Sequence, residues 1–146
     1  MRKAVTAAGA SAALIFPYGS ATAAATAAKA KPKKKVVTLT RTVTGSQGSA
    51  GRWGDVQVTL VVRKTTTTIG RRKRVARRIA KVEVPVYPNH TDRSVFINQQ
   101  AIPLLTQEVL KAGIAISNLQ LVSGATATSY GFANSLQDAL LQAKQI

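Results

Sequence analysis

The run Ser123-Gly124-Ala125-Thr126-Ala127-Thr128-Ser129 sets four hydroxyl side chains around a Gly-Ala pair, directly before an apolar-periodic segment from Tyr130 to Lys144. That segment reads as a helix with Phe132, Leu136, Ala139, Leu140 and Ala143 on one face, which is a core-packing stripe. The first N–H groups of a helix have no partner inside it, and they sit at the positive end of its dipole. A phosphate is well placed there. Gly124 and Ala125 keep the approach open, and Thr126 offers a hydroxyl at the phosphate position. The plainer alternative is a capped helix with no ligand, because Ser and Thr before such a run are ordinary N-caps.

Other chemistries find little support. The chain has no cysteine, which excludes disulfides, thiolate metal sites, a cysteine nucleophile and a lipoprotein anchor. Its one histidine, His90, lies in Pro88-Asn89-His90-Thr91-Asp92, a loop by composition. A solvated loop imidazole is a simpler reading of it than a catalytic base. The five acidic residues are scattered, and no metal-ligand spacing can be drawn through them.

The elements that must position the hydroxyl-rich turn follow from periodicity. Val36 to Val43 alternates and reads as a first strand, and Gly45 to Gly51 as a loop. Asp55 to Arg63 reads as a strand, Thr65 to Arg74 as a turn region containing Gly70, and Val75 to Val86 as the returning strand. A helix over 71–82 competes, since Val75, Ile79 and Val82 also suit a helical stripe. β-Branched residues and Pro85 favour the strand. Asn98 suits an N-cap for a helix running to Ala112, with Ile102, Leu105, Val109 and Ala112 as its stripe, Pro103 in its first turns and Gly113 as its stop. Ile114 to Val122 then reads as an extended lead into the hydroxyl-rich turn. The expected fold is α+β: a twisted antiparallel sheet with a long hairpin, packed by two helices. There is no internal repeat.

Several motifs share one order. Trp53-Gly54-Asp55-Val56-Gln57-Val58 resembles an aromatic-Gly-x-Val-x-Val opening strand. Tyr87-Pro88, Arg93-Ser94, Ile97-Asn98, Ala101-Ile102-Pro103-Leu104-Leu105, Val122-Ser123-Gly124-Ala125-Thr126 and Ser135-Leu136-Gln137 with Ala139-Leu140 follow it. In type, order and rough spacing these resemble the FMN-binding domain family, which includes the flavin-carrying subunits of the sodium-pumping NADH:quinone reductase and the Rnf complex and many short exported proteins. The resemblance covers roughly residues 50–145. It implies an FMN cofactor joined through its phosphate to the hydroxyl of Thr126, installed by a separate flavin transferase that uses FAD and a divalent metal. It implies that Ser123, Gly124, Ala125, Thr128 and Ser129 surround the phosphate or ribityl chain, although Thr128 or Ser129 could instead cap the last helix. Arg93, Ser94, Pro103 and Leu104 match the other recurring block, either as flavin contacts or as a loop and helix start that hold the fold. The implied role is a redox carrier with an unknown redox partner rather than an enzyme with its own substrate. The sequence departs from the family pattern at Gln120, where an Asp is common.

The chain begins Met1-Arg2-Lys3, continues apolar and Ala-rich to Phe16, breaks at Pro17 and then offers small-x-small sites. Residues 1–28 read as a secretory signal peptide, and an uncleaved arm is the alternative. Residues 29–49 read as a Lys-rich linker and first strand, and 50–146 as the FMN-binding domain. The implied location is extracytoplasmic, secreted or attached at the cell surface. The formal net charge is +16, which favours anionic partners such as a cell wall or a lipid surface. The cluster from Arg71 to Lys81 is either a contact for such a polyanion or a solvated loop. Nucleic acid ranks third, because few aromatics interleave with the charge. The functional expectation is an exported FMN-binding electron carrier. The alternatives are a cationic cell-surface module that has lost the flavin and a small basic nucleic-acid-binding protein, the last requiring that the N-terminus is not a signal.

Overall fold

Three long strands and two helices carry the architecture of the computed structural model, which describes residues 31–146. The expected signal peptide, 1–28, lies outside the described residues, as do Lys29 and Ala30 of the Lys-rich segment. Strands β1 (Lys34–Thr44), β2 (Gly48–Ser49), β3 (Asp55–Ile69) and β4 (Arg72–Val86) precede helix α1 (Asp92–Ala112) and helix α2 (Thr126–Gln145). The sheet is open and antiparallel, and the fold is α+β. β3 is central. β4 pairs with one of its edges, and β1 and then β2 share the other. β1 pairs with β3 from Lys34↔Ile69 to Thr44↔Thr59, so it is an integral strand. The compact unit Lys33–Ile146 includes it.

The hairpin is longer than the residue pattern suggested. Thr65 to Thr68 continue β3, and the turn shrinks to Gly70-Arg71 between Ile69 and Arg72. A threonine run is β-branched and favours extended backbone. Gly70, at φ +59°, takes the left-handed position that a two-residue hairpin turn needs. The strand reading of 72–86 holds over the helical one.

Both helices pack on one face of this sheet. Val56, Val58, Leu60 and Val62 alternate along β3 and are fully buried against Leu105 and Val109 of α1 and Phe132, Leu136, Ala139, Leu140 and Ala143 of α2. Full burial of each large apolar side chain is worth about 1.5–3 kcal/mol. The α2 stripe is the one expected.

α1 begins seven residues earlier than expected. Its N-cap is Thr91, whose side chain accepts from the Ser94 N–H at 3.1 Å. Asn98 is not a cap; it is buried one turn and more inside the helix. The buried stripe is Ser94, Asn98, Ala101, Leu105 and Val109, while Ile102 is half-buried and Ala112 exposed. Two polar members disguised that stripe. The helix runs through Pro103 because Pro103 and Gln99, whose carbonyl loses its partner, both face solvent. Gly113, at φ +69°, ends α1 as expected, and its N–H bonds to the Val109 carbonyl. A 3-10 turn over Gly113–Ala115 follows, so only 116–122 forms an irregular lead into α2.

α2 is fastened to the 44–58 segment by backbone proximity. A Cβ on Gly131 would stand 2.8 Å from the Gly48 carbonyl oxygen and 3.1 Å from Val56 Cγ2, and a Cβ on Gly48 would collide with the Gly131 carbonyl. Between β1 and β2 the Val58 carbonyl still accepts from the Gly45 N–H at 2.8 Å, but the Val58 N–H finds no strand partner and donates to Ser135 Oγ at 2.8 Å. Ser46 N–H donates to Asp138 Oδ2 at 2.7 Å, and Gln142 Nε2 donates to the Thr44 carbonyl at 3.0 Å.

Candidate functional site

α2 starts at Thr126, four residues before the expected Tyr130, and this places Thr126 in its first turn. The N-cap, Ala125, has no side chain able to cap, and no side-chain cap hydrogen bond forms. The first intrahelical bond runs from the Ser129 N–H to the Ala125 carbonyl at 2.9 Å. The N–H groups of Thr126, Ala127 and Thr128 therefore have no hydrogen-bond partner among the described residues. Gly124, at φ +82° with open space where a Cβ would stand, turns the chain into this helix.

Those free donors face a cleft of about 540 Å³, within the range of about 300–1,000 Å³ common to small-molecule sites. Three distant segments build it. Ala125, Thr126, Ala127 and Thr128 come from the start of α2, and Thr91, Arg93 and Ser94 from the start of α1. Arg52 and Trp53 come from the 3-10 turn before β3. Two helix N-termini and two guanidinium groups thus meet at one opening, which makes it strongly electropositive. Among the described residues, no carboxylate lines it. Trp53 is half exposed there, with the Arg52 guanidinium 4.8 Å from its ring centroid.

A buried pair holds the two helix starts in place. Thr128 Oγ1 donates to Asn98 Oδ1 at 2.8 Å, and Asn98 Nδ2 donates to the Pro88 carbonyl at 2.7 Å. Both side chains are almost fully buried. Ser129, fully buried, accepts from the Val122 N–H at 3.1 Å and donates to the Ala125 carbonyl at 2.9 Å. Neither Thr128 nor Ser129 caps α2; both lie within it. Their hydroxyls bond within the protein, and of the hydroxyl residues at the start of α2 it is Thr126 that is exposed at the cleft.

The expected site residues divide. Arg93, Ser94, Thr126 and Thr128 line this cleft, with Gly124 and Ala125 at its edge. Ser123 and Leu104 line a second, wider cleft of about 840 Å³ on the other side of Gly124, between α1 and the 120–125 segment. That second cleft mixes apolar side chains, with Phe96 and Leu121 exposed, and polar ones, among them Gln100, Gln107, Glu108 and Lys111. Gln120 also lines it, and its N–H donates to Glu108 Oε1 at 2.9 Å. Pro103 and Ser129 line neither cleft, and Pro103 is on the solvent side of α1. His90 is exposed in the loop before α1 and lines neither. Among the described residues, no group of three acidic, His or Cys side chains is gathered to hold a metal ion.

Residue reasoning did not assign Arg52, Trp53, Thr91 and Asn98 to the site. The signal for Trp53 was the chain's only tryptophan standing in a Gly/Ser-rich loop, where exposed aromatics serve recognition. No protein-family model matches the chain, and no curated protein matches it closely enough to serve as a relative.

Proposed function

We propose that the cleft between the two helix starts holds FMN, with its phosphate at Thr126, and that the protein is an exported flavin-dependent electron carrier. One observation carries the reading. The uncapped start of α2 presents three free N–H groups and the exposed Thr126 hydroxyl to a cleft that also contains Arg93. This donor set suits a phosphate: oriented amides share its charge, and a guanidinium can bind two oxygens at once. Open space at Gly124 lets an ester oxygen approach Thr126 without a side chain in the way.

In this reading Thr126 carries the phosphoester, and the amides of Thr126, Ala127 and Thr128 take the remaining phosphate charge. Arg93 and Arg52 supply positive charge to the same opening, and the half-exposed Trp53 offers a flat apolar wall to an aromatic ring. The flavin, when bound, supplies one- and two-electron transfer, and the protein supplies position and electrostatics. The resemblance of Val122-Ser123-Gly124-Ala125-Thr126, Arg93-Ser94 and Trp53-Gly54 to the FMN-binding domain family supports the assignment, because the fold brings residues from all three motifs to one cleft. A tether is useful to an exported domain, which would lose an exchangeable flavin to its surroundings.

The test is co-expression of the full chain with a flavin transferase, followed by ultraviolet illumination of a denaturing gel. A fluorescent band is expected for the wild type and for Ser123→Ala, and none for Thr126→Ala. An equally fluorescent Thr126→Ala protein refutes the attachment site. A wild-type protein that retains no flavin in any form refutes the function.

A further inference from the structure

The outer half of the sheet extends past the helices, and its two faces carry different chemistry. Even-numbered residues of β3 share the face of Val56 to Val62, on which both helices pack. Beyond α2, whose C-cap Ile146 accepts a bond from the Lys64 ammonium through its carbonyl, that face continues as the row Val37–Thr66–Val75 and then Lys35–Thr68–Lys73. Among the described residues, nothing packs over the opposite face. Its rows, read outward, include Thr40–Arg63–Arg78, Thr38–Thr65–Ala76, Val36–Thr67–Arg74 and Lys34–Ile69–Arg72. Both faces carry threonine hydroxyls; the open face adds the guanidinium groups of Arg63, Arg72, Arg74 and Arg78, while the helix-side face adds lysine and valine with Arg77.

This face is electrostatically frustrated. Arg63 stands directly across from Arg78, and like charges in opposed positions destabilise a sheet. Among the described residues the only ion pair is Lys81–Glu83, at the inner end of the face, so Arg63, Arg72, Arg74 and Arg78 have no acidic partner. All four are exposed. An anionic ligand relieves that repulsion.

We propose that the open face of β1, β3 and β4 binds a flexible, extended phosphate polymer. Arginine forks bind phosphate oxygens in pairs, and threonine hydroxyls donate to the oxygens between. The strands rise about 3.3 Å per residue, so same-face side chains recur about every 6.6 Å, which gives a repeating set of contacts along a chain. The ribbon has no aromatic residue in 34–44 or 61–81, hence no stacking platform for single-stranded bases and no aromatic anchor for a lipid interface. The open-face rows contain no Asn or Gln to read base edges. What remains is recognition of repeated phosphate itself. The inference does not depend on the flavin site.

The experiment titrates the full chain with long-chain inorganic polyphosphate over a series of sodium chloride concentrations. Two charge-matched triple variants accompany it: Arg72→Gln/Arg74→Gln/Arg78→Gln on the open face, and Lys35→Gln/Lys73→Gln/Arg77→Gln on the helix side. The open-face variant is expected to lose at least tenfold in affinity near physiological salt, and its log K against log salt slope to flatten by about 2, at about 0.7 per lost contact. The helix-side variant is expected to lose less than threefold. Arg72→Lys/Arg74→Lys/Arg78→Lys keeps the charge and removes the fork, and a severalfold loss is expected. Equal losses from the two faces would overturn the proposal, since net charge alone would then explain binding. So would tighter binding to vesicles containing one-third anionic phospholipid, or to duplex DNA, through the same three arginines.

Discussion

Asn98→Ala probes the joint that holds the candidate site together. Asn98 is 1 % exposed, donates to the Pro88 carbonyl and accepts from Thr128, so it ties the loop before α1 to the first turn of α2. Pro88 is buried, and its carbonyl, left without the Asn98 amide, bears the penalty of an unpaired acceptor, about 1–3 kcal/mol. The Thr128 hydroxyl loses its acceptor as well, at about 0.5–1 kcal/mol. The missing amide leaves about 40 Å³, which at about 24 cal/mol per Å³ adds about 1 kcal/mol. The expected destabilisation is about 3–4 kcal/mol, or a fall in Tm of roughly 10–15 °C for a domain of this size. Urea unfolding of Asn98→Ala, Thr128→Val and the double variant measures it. The double variant should fall short of the sum by about 1 kcal/mol, because one bond is counted in both singles. A loss below about 1 kcal/mol for Asn98→Ala, or strict additivity, would show that the helices are not clamped through this pair.

Two further expectations concern the scaffold. Gly48→Ala should cost about 3 kcal/mol in the same urea assay, since the new methyl meets the Gly131 carbonyl, and relief requires moving α2 away from β2; Gly51→Ala, strained at φ +64° but facing open space, should cost only about 1 kcal/mol. Pro103→Ala should raise stability by about 1 kcal/mol or more, because it restores a helical hydrogen bond at an exposed position, and a measured loss would contradict the view that α1 tolerates Pro103 only on its solvent side.

By itself the sequence determined the features that repeat locally. Valine alternation marked β1, β3 and β4 as strands, and the Phe132 to Ala143 spacing marked the buried face of α2. Gly113 marked the end of α1, and the Ser123 to Thr126 turn marked a hydroxyl-bearing helix start. Each is written in neighbouring residues, where a period of two or 3.6 needs no partner to be read. The tertiary structure decided whatever depends on what lies across the gap. The start of α1 was hidden because Ser94 and Asn98 look like surface residues until Pro88 and Thr128 arrive to bond Asn98. The glycines at 45, 48 and 131 look like loop and helix irregularities until two backbones are brought into contact. Thr128 and Ser129 look like ligand hydroxyls until burial commits them to the protein's own carbonyl and amide groups. The cleft itself is a nonlocal object: Trp53, Arg93 and Thr126 are far apart in the chain, and only the packing of two helix starts beside the turn before β3 makes them neighbours.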